Sequence, residues 1–105
     1  MGLGLSALGR FSEPGMLVLL SLAEGDKHGY AMLIDAKDTF GVKLGPGTLY
    51  QAIDRLQQQG LIEALPPSDR RRPYRITATG VRELETQLEN MQRFTATGLQ
   101  RLTVR

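Results

Sequence analysis

Read as a pattern of apolar and polar positions, the chain divides into four helical segments and one hairpin. Met16, Leu17, Leu19, Leu20 and Leu22 are apolar on nearly all sides, which predicts a central core helix. Ser12 is its expected cap, with Glu13 and Pro14 in the opening turn, and Gly25 ends it after about Ala23. A second helix is expected from about His28 to Phe40, with Tyr30, Leu33, Ile34 and Lys37 along one side and Gly41 at its end. Val42, Lys43 and Leu44 then read as a very short strand. Pro46 suits the first turn of a third helix, in which Leu49, Ile53 and Leu56 make an inward stripe. Thr48, Gln51, Arg55 and Gln58 fall on a different face, and all carry hydrogen-bonding side chains. Gly60 stops this helix, and the apolar, β-branched residues after it start a strand. Prolines and Ser68-Asp69 form the hairpin tip, and on the returning strand Tyr74 and Ile76 share one face while Arg75 takes the other.

Thr77 or Thr79 caps a final long helix. Along it Val81, Leu84, Leu88, Met91, Thr95, Gly98 and Leu102 alternate steps of three and four, the pattern of a two-helix seam. Packing onto its own domain is the simpler use of such a stripe. The helix, however, runs for about seven turns at ~1.5 Å per residue, further than a compact body can cover. Its other faces are polar, so a second copy is the expected cover, with Val81, Leu84, Leu88 and Met91 at the dimer interface.

This order predicts a mainly α fold with a small β-hairpin: a winged helix-turn-helix DNA-binding domain followed by a long C-terminal helix. The expected divisions are an N-terminal arm or short extra helix at 1–11, the winged domain at 12–77, and a dimerisation helix at 78–105. The length of 105 residues and the 41% of hydrophobic residues suit one folded domain.

Charge changes the picture only locally. The net charge is +2 and the pI near 9.3, but Arg70, Arg71, Arg72 and Arg75 hold four of the thirteen basic residues on or beside the hairpin tip. Guanidinium groups there can reach phosphate oxygens or a narrow minor groove. A solvated charge cluster is the bland alternative, and it weakens once the cluster follows a recognition-type helix. The expected DNA contacts are therefore Thr48, Tyr50, Gln51, Arg55, Arg70, Arg71, Arg72 and Arg75. Absence of cysteine removes disulfides and thiolate metal sites and suits a reducing cytoplasm. No signal peptide or membrane span is expected. A single histidine and no visible triad argue against an enzyme, and no cofactor is expected. Glu24, Asp26 and His28 could form a metal site in a metal-responsive regulator, although a polar turn and a helix cap are the better readings, and no metal ligand is assigned. A winged helix used only for protein contact is the other alternative.

The motifs together resemble the PadR family of bacterial transcriptional regulators. Leu-Ala-Glu-Gly before His28-Gly29-Tyr30 is similar to the family's "hGY" element, and Gly45-Pro46-Gly47-Thr48-Leu49-Tyr50 to its "SPGTLY". Leu56-Gln57-Gln58-Gln59-Gly60-Leu61-Ile62, Arg72-Pro73-Tyr74-Arg75-Ile76-Thr77 and Gly80 follow in the matching order, so the likeness covers about Met16 to Leu88. It implies a homodimer on an inverted-repeat operator, usually a repressor, released by a small-molecule effector. By position, Thr48 and Tyr50 would contact DNA from the third helix, and the wing arginines would contact backbone or minor groove. Gly45 stands for the usual serine cap, Gln51 for a frequent proline and Ala31 for a common glutamate. Gln51 adds an adenine-reading amide, so operator sequence does not transfer from relatives. The lack of tryptophan argues against a flat aromatic drug as effector.

Overall fold

The computed structural model describes residues 13–105, so the N-terminal arm at 1–11 and the expected Ser12 cap lie outside the described residues. Helix α1 spans Pro14–Ala23, strand β1 Lys27–His28, α2 Gly29–Phe40, α3 Pro46–Gln58, β2 Ile62–Ala64, β3 Pro73–Ile76 and α4 Ala78–Thr103. The result is a mainly α winged helix-turn-helix with a small sheet and a long C-terminal helix. No described helix is long and apolar enough to cross a membrane.

The core forms around α1. Met16, Leu17, Val18, Leu19 and Leu22 are all buried, as a helix apolar on every side must be. Leu49, Ala52, Ile53 and Leu56 bring one stripe of α3 onto it, Met32 does the same from α2, and Ala36 of α2 is buried as well. Of the side of α2 that carries Tyr30, Leu33, Ile34 and Lys37, only Leu33 packs against the core, and the other three are exposed. The tripeptide Val42, Lys43 and Leu44 is loop, not strand. The additional strand is β1, which pairs antiparallel with β3 (Lys27 opposite Tyr74, His28 opposite Pro73) and makes the sheet order β1-β3-β2. Two residues between a glycine turn and a helix start carry no alternation to detect, so β1 exists only through its partner.

Helix ends follow local chemistry. His28 stands at the cap position of α2, with its Nδ1 3.3 Å from the Ala31 N–H. Gly60, at φ 74°, closes α3: its N–H donates to the Gln57 carbonyl and that of Leu61 to the Leu56 carbonyl, the two bonds of a Schellman motif. Of the two candidate caps for α4, Thr77 serves. Its hydroxyl accepts from the Gly80 N–H at 3.0 Å and donates to the Gly60 carbonyl at 2.7 Å, while its own N–H reaches the Leu61 carbonyl at 3.0 Å.

Gly80 is buried at this junction. A Cβ there would fall on the Leu61 carbonyl oxygen and lie 2.8 Å from Ile76 Cγ1, so only glycine lets α4 start against the base of the hairpin. Leu84, one turn on, is 5% exposed and belongs to the core of the winged domain, which corrects the expectation that it is exposed past the domain body. The exposed apolar surface on α4 is shown by Val81 and then by Leu88, Phe94, Leu99 and Leu102, with Met91 half-buried against the core.

Gly80→Ala should lower folding stability by about 1–3 kcal/mol, the usual cost of overpacking, and drop the thermal midpoint by several degrees. Gly47→Ala, with open space around it, should not lower the midpoint, and equal midpoints for the two variants would contradict the junction.

Candidate nucleic-acid interface

Three parts of the fold converge on one cleft of about 320 Å³. His28, Gly29 and Tyr30 come from the start of α2, Tyr50 from α3, and Arg70, Arg71, Arg72 and Tyr74 from the hairpin. The first turns of α3 reach it because Gly45 and Pro46 begin the helix and the Leu49 stripe turns the opposite face outward. Thr48, Gln51, Arg55 and Gln58 are accordingly exposed. Tyr50 is 47% exposed, and its hydroxyl lies over Gly29. Any Cβ at position 29 would overlap the Tyr50 ring, with Cζ 2.8 Å away, so the two motifs around Gly29 and Tyr50 form one contact. Burial raises the Tyr74 phenol above its ordinary value, Tyr50 and Asp54 add to this and Arg72 opposes it, so Tyr74 stays protonated as a hydrogen-bond donor.

The hairpin tip is a two-residue turn. Ser68 and Arg71 exchange backbone hydrogen bonds at 2.7 and 2.9 Å, and Asp69 and Arg70 sit at φ 49° and 65°. Two positive φ values in a row are what a type I′ turn requires, a geometry that favours Asn-Gly and strains an arginine. Arg70 nevertheless stands at the outermost position, and it makes no hydrogen bond or ion pair among the described residues.

Its neighbours are engaged. Arg72 donates to the Leu65 carbonyl at 2.8 Å, bracing the two arms of the hairpin. Arg71 Nη1 meets His28 Nε2 at 2.9 Å and ties the hairpin to α2. Arg75 forms a two-point pair with Asp26 at 3.0 and 3.3 Å, and this carboxylate raises its already high pKa. Arg75 therefore clasps β3 to the loop before β1. Sequence placed it correctly on the outward strand face but could not show the acid 49 residues away. Glu24 is likewise held by Lys27 at 3.0 Å, so both acids near His28 already have cationic partners. Among the described residues no group of three metal-ligating side chains comes together. Sequence reasoning missed His28 and Tyr30 as cleft residues. The signal available was the helix-start position they share, facing the same side as the tip arginines.

An outward polar helix beside a basic two-stranded wing defines a winged helix-turn-helix DNA-binding protein. Residues 18–86 match the family of PadR-like transcriptional regulators, and the chain belongs to that family. That family is one of transcriptional regulators. Among curated proteins it is 39% identical over 84 residues to an uncharacterised 37.1 kDa protein in transposon TN4556 of Streptomyces fradiae; the match takes in 80% of this chain and 24% of that protein. The chain thus spans about a quarter of that relative's length. The crystal structure of a PadR family regulator from Eggerthella lenta superposes with a TM-score of 0.68 at 28% identity, over 93% of this chain and 90% of that one. Bacillus subtilis PadR, solved in complex with operator DNA, shares the fold at a TM-score of 0.65 and 21% identity, over 70% of this chain and 45% of that one.

Arg70→Gly separates the two demands on the tip. Relief of a left-handed arginine should raise stability by about 1 kcal/mol, while loss of the outermost charge weakens binding to duplex DNA and flattens its salt dependence. Chemical denaturation and a salt series read the two effects, and a variant that loses stability would contradict the turn geometry.

Proposed function

We propose that this protein is a homodimeric repressor that reads an inverted-repeat operator in double-stranded DNA and is released by a small-molecule effector. The observation that carries the DNA-facing part is the cleft itself: the start of α2, the first turns of α3 and the wing all open toward the same side. Thr48, Gln51 and Arg55 read bases from α3, Gln51 with the amide that suits adenine and Arg55 with the fork that suits guanine. Tyr50, Arg70, Arg71 and Arg72 bind backbone, and Arg75 acts by holding the wing to β1. Contacts of this second kind position the protein but carry no sequence information.

Dimerisation through the 78–105 helix is supported by an apolar groove of about 430 Å³ lined by Leu88, Met91, Gln92, Thr95, Ala96 and Leu99. Leu88 is 40% and Leu99 60% exposed, and a symmetric copy would bury both. Val81 and Met91 flank the contact, while Leu84 supports it from within the core. Such a regulator acts in the cytoplasm, where its operator is. The effector is taken from the family likeness, and the missing tryptophan leaves the groove without a flat aromatic platform.

A randomised-site selection tests base reading. The parent should enrich an inverted repeat, and Gln51→Ala and Arg55→Ala should each lose preference at one position per half-site, worth ~1–3 kcal/mol of discrimination. Unchanged preference profiles in both variants would remove α3 as the reading element.

A further inference from the structure

We propose that His28 and Arg71 together form a two-donor seat for one DNA backbone phosphate, and that the free protein holds this seat shut with a bond between them. The proposal deepens the reading above and rests on the wing facing DNA.

The argument begins with a conflict at one imidazole. His28 Nδ1 faces the Ala31 N–H at 3.3 Å, and its Nε2 faces Arg71 Nη1 at 2.9 Å. Both neighbours are donors, and a guanidinium has no acceptor to offer. A neutral imidazole has one acceptor nitrogen and one N–H, so it can satisfy one of these donors and not both. If Nε2 accepts from Arg71, Nδ1 carries the proton and meets the Ala31 N–H donor to donor. If Nδ1 caps the helix, Nε2–H points at a guanidinium. The Arg71 contact is the shorter and is charge-assisted, so it prevails in the free chain and the cap is surrendered.

An anion oxygen at the Nε2 side removes the conflict. It accepts from Arg71 and from Nε2–H together, and Nδ1 returns to the Ala31 N–H. The surroundings favour an anion there. Arg70 and Arg72 line the same cleft, as do Tyr30, Tyr50 and Tyr74. Of the nearby carboxylates, Asp26 is taken by Arg75 and Glu24 by Lys27, and Asp54 is felt at Tyr74. His28 is then a positioning residue for Arg71 before binding and a phosphate donor after it. The wing is pre-placed by the same contact that DNA later replaces.

The chain has a single histidine, so its ring nitrogens give one unambiguous set of ¹⁵N signals. In the free protein they should report the Nδ1–H form, and in Arg71→Ala the Nε2–H form, because the cap is recovered. Saturation with a short mixed-sequence duplex at low salt should convert the parent to Nε2–H. Millimolar inorganic phosphate should convert it far less. His28→Asn keeps a good helix cap without the second nitrogen, and should lose roughly tenfold in duplex affinity with its thermal midpoint retained. A parent ring already in the Nε2–H form, or unmoved by Arg71→Ala, overturns the latch. A ring unmoved by bound duplex, or moved only by free phosphate, overturns the DNA seat. A duplex that does not bind sinks the DNA reading instead, and the comparison of the two free proteins still decides the latch.

Discussion

The carbonyl groups of Gly60 and Leu61 are the constraint on which the arrangement of this molecule depends. Thr77 spans both of them, its hydroxyl on one and its N–H on the other, and the same hydroxyl caps α4 through Gly80. Three elements are thereby fixed at one point: the end of α3, the end of the returning wing strand and the start of the long helix. Gly80 is the steric condition for this, because a side chain would displace the Leu61 carbonyl. The direction of α4 relative to α3 follows from a few atoms, and Leu84 then locks it by entering the core. If α4 pairs with a second copy as proposed, its rigid junction with the DNA face would turn a two-fold axis into a fixed spacing on DNA.

The wing shows how a basic surface can be ordered while, among the described residues, only Arg75 of its four arginines is paired to an acid. Arg72 and Arg75 are used in bracing, Arg72 across the hairpin and Arg75 to the loop before β1, and Arg71 meets the His28 ring. Arg70 alone is left at a strained tip. Ordering before contact lowers the entropy lost on binding, which is the advantage of a wing held to α1–α2 by its own arginines.

Much of this was legible in the residues. The all-apolar α1, the Leu49, Ile53 and Leu56 stripe, the glycine stops at Gly41 and Gly60 and the cap at Thr77 are local signals, and the structure follows each. The misreadings have a common cause. β1 is a strand only because β3 lies beside it, and Arg75 finds Asp26 only across that pairing. Leu84 fits a seam by spacing alone, and nothing in the spacing tells where the domain body ends. The side of α2 that is covered was not legible: Met32 and Ala36 are buried, while Tyr30 and Ile34 are exposed. Periodicity gives a face, and only tertiary contact decides which face is covered.

The central claim is that one rigid face, doubled by α4, reads two half-sites at once. Hydroxyl-radical footprinting on a selected operator, paired with the sedimentation mass of the complex, tests it directly. The account predicts two protomers per duplex and two protected windows related by a two-fold axis, centred about one helical turn, roughly 10 base pairs, apart or a multiple of it. A single window with one protomer bound at full affinity would contradict it.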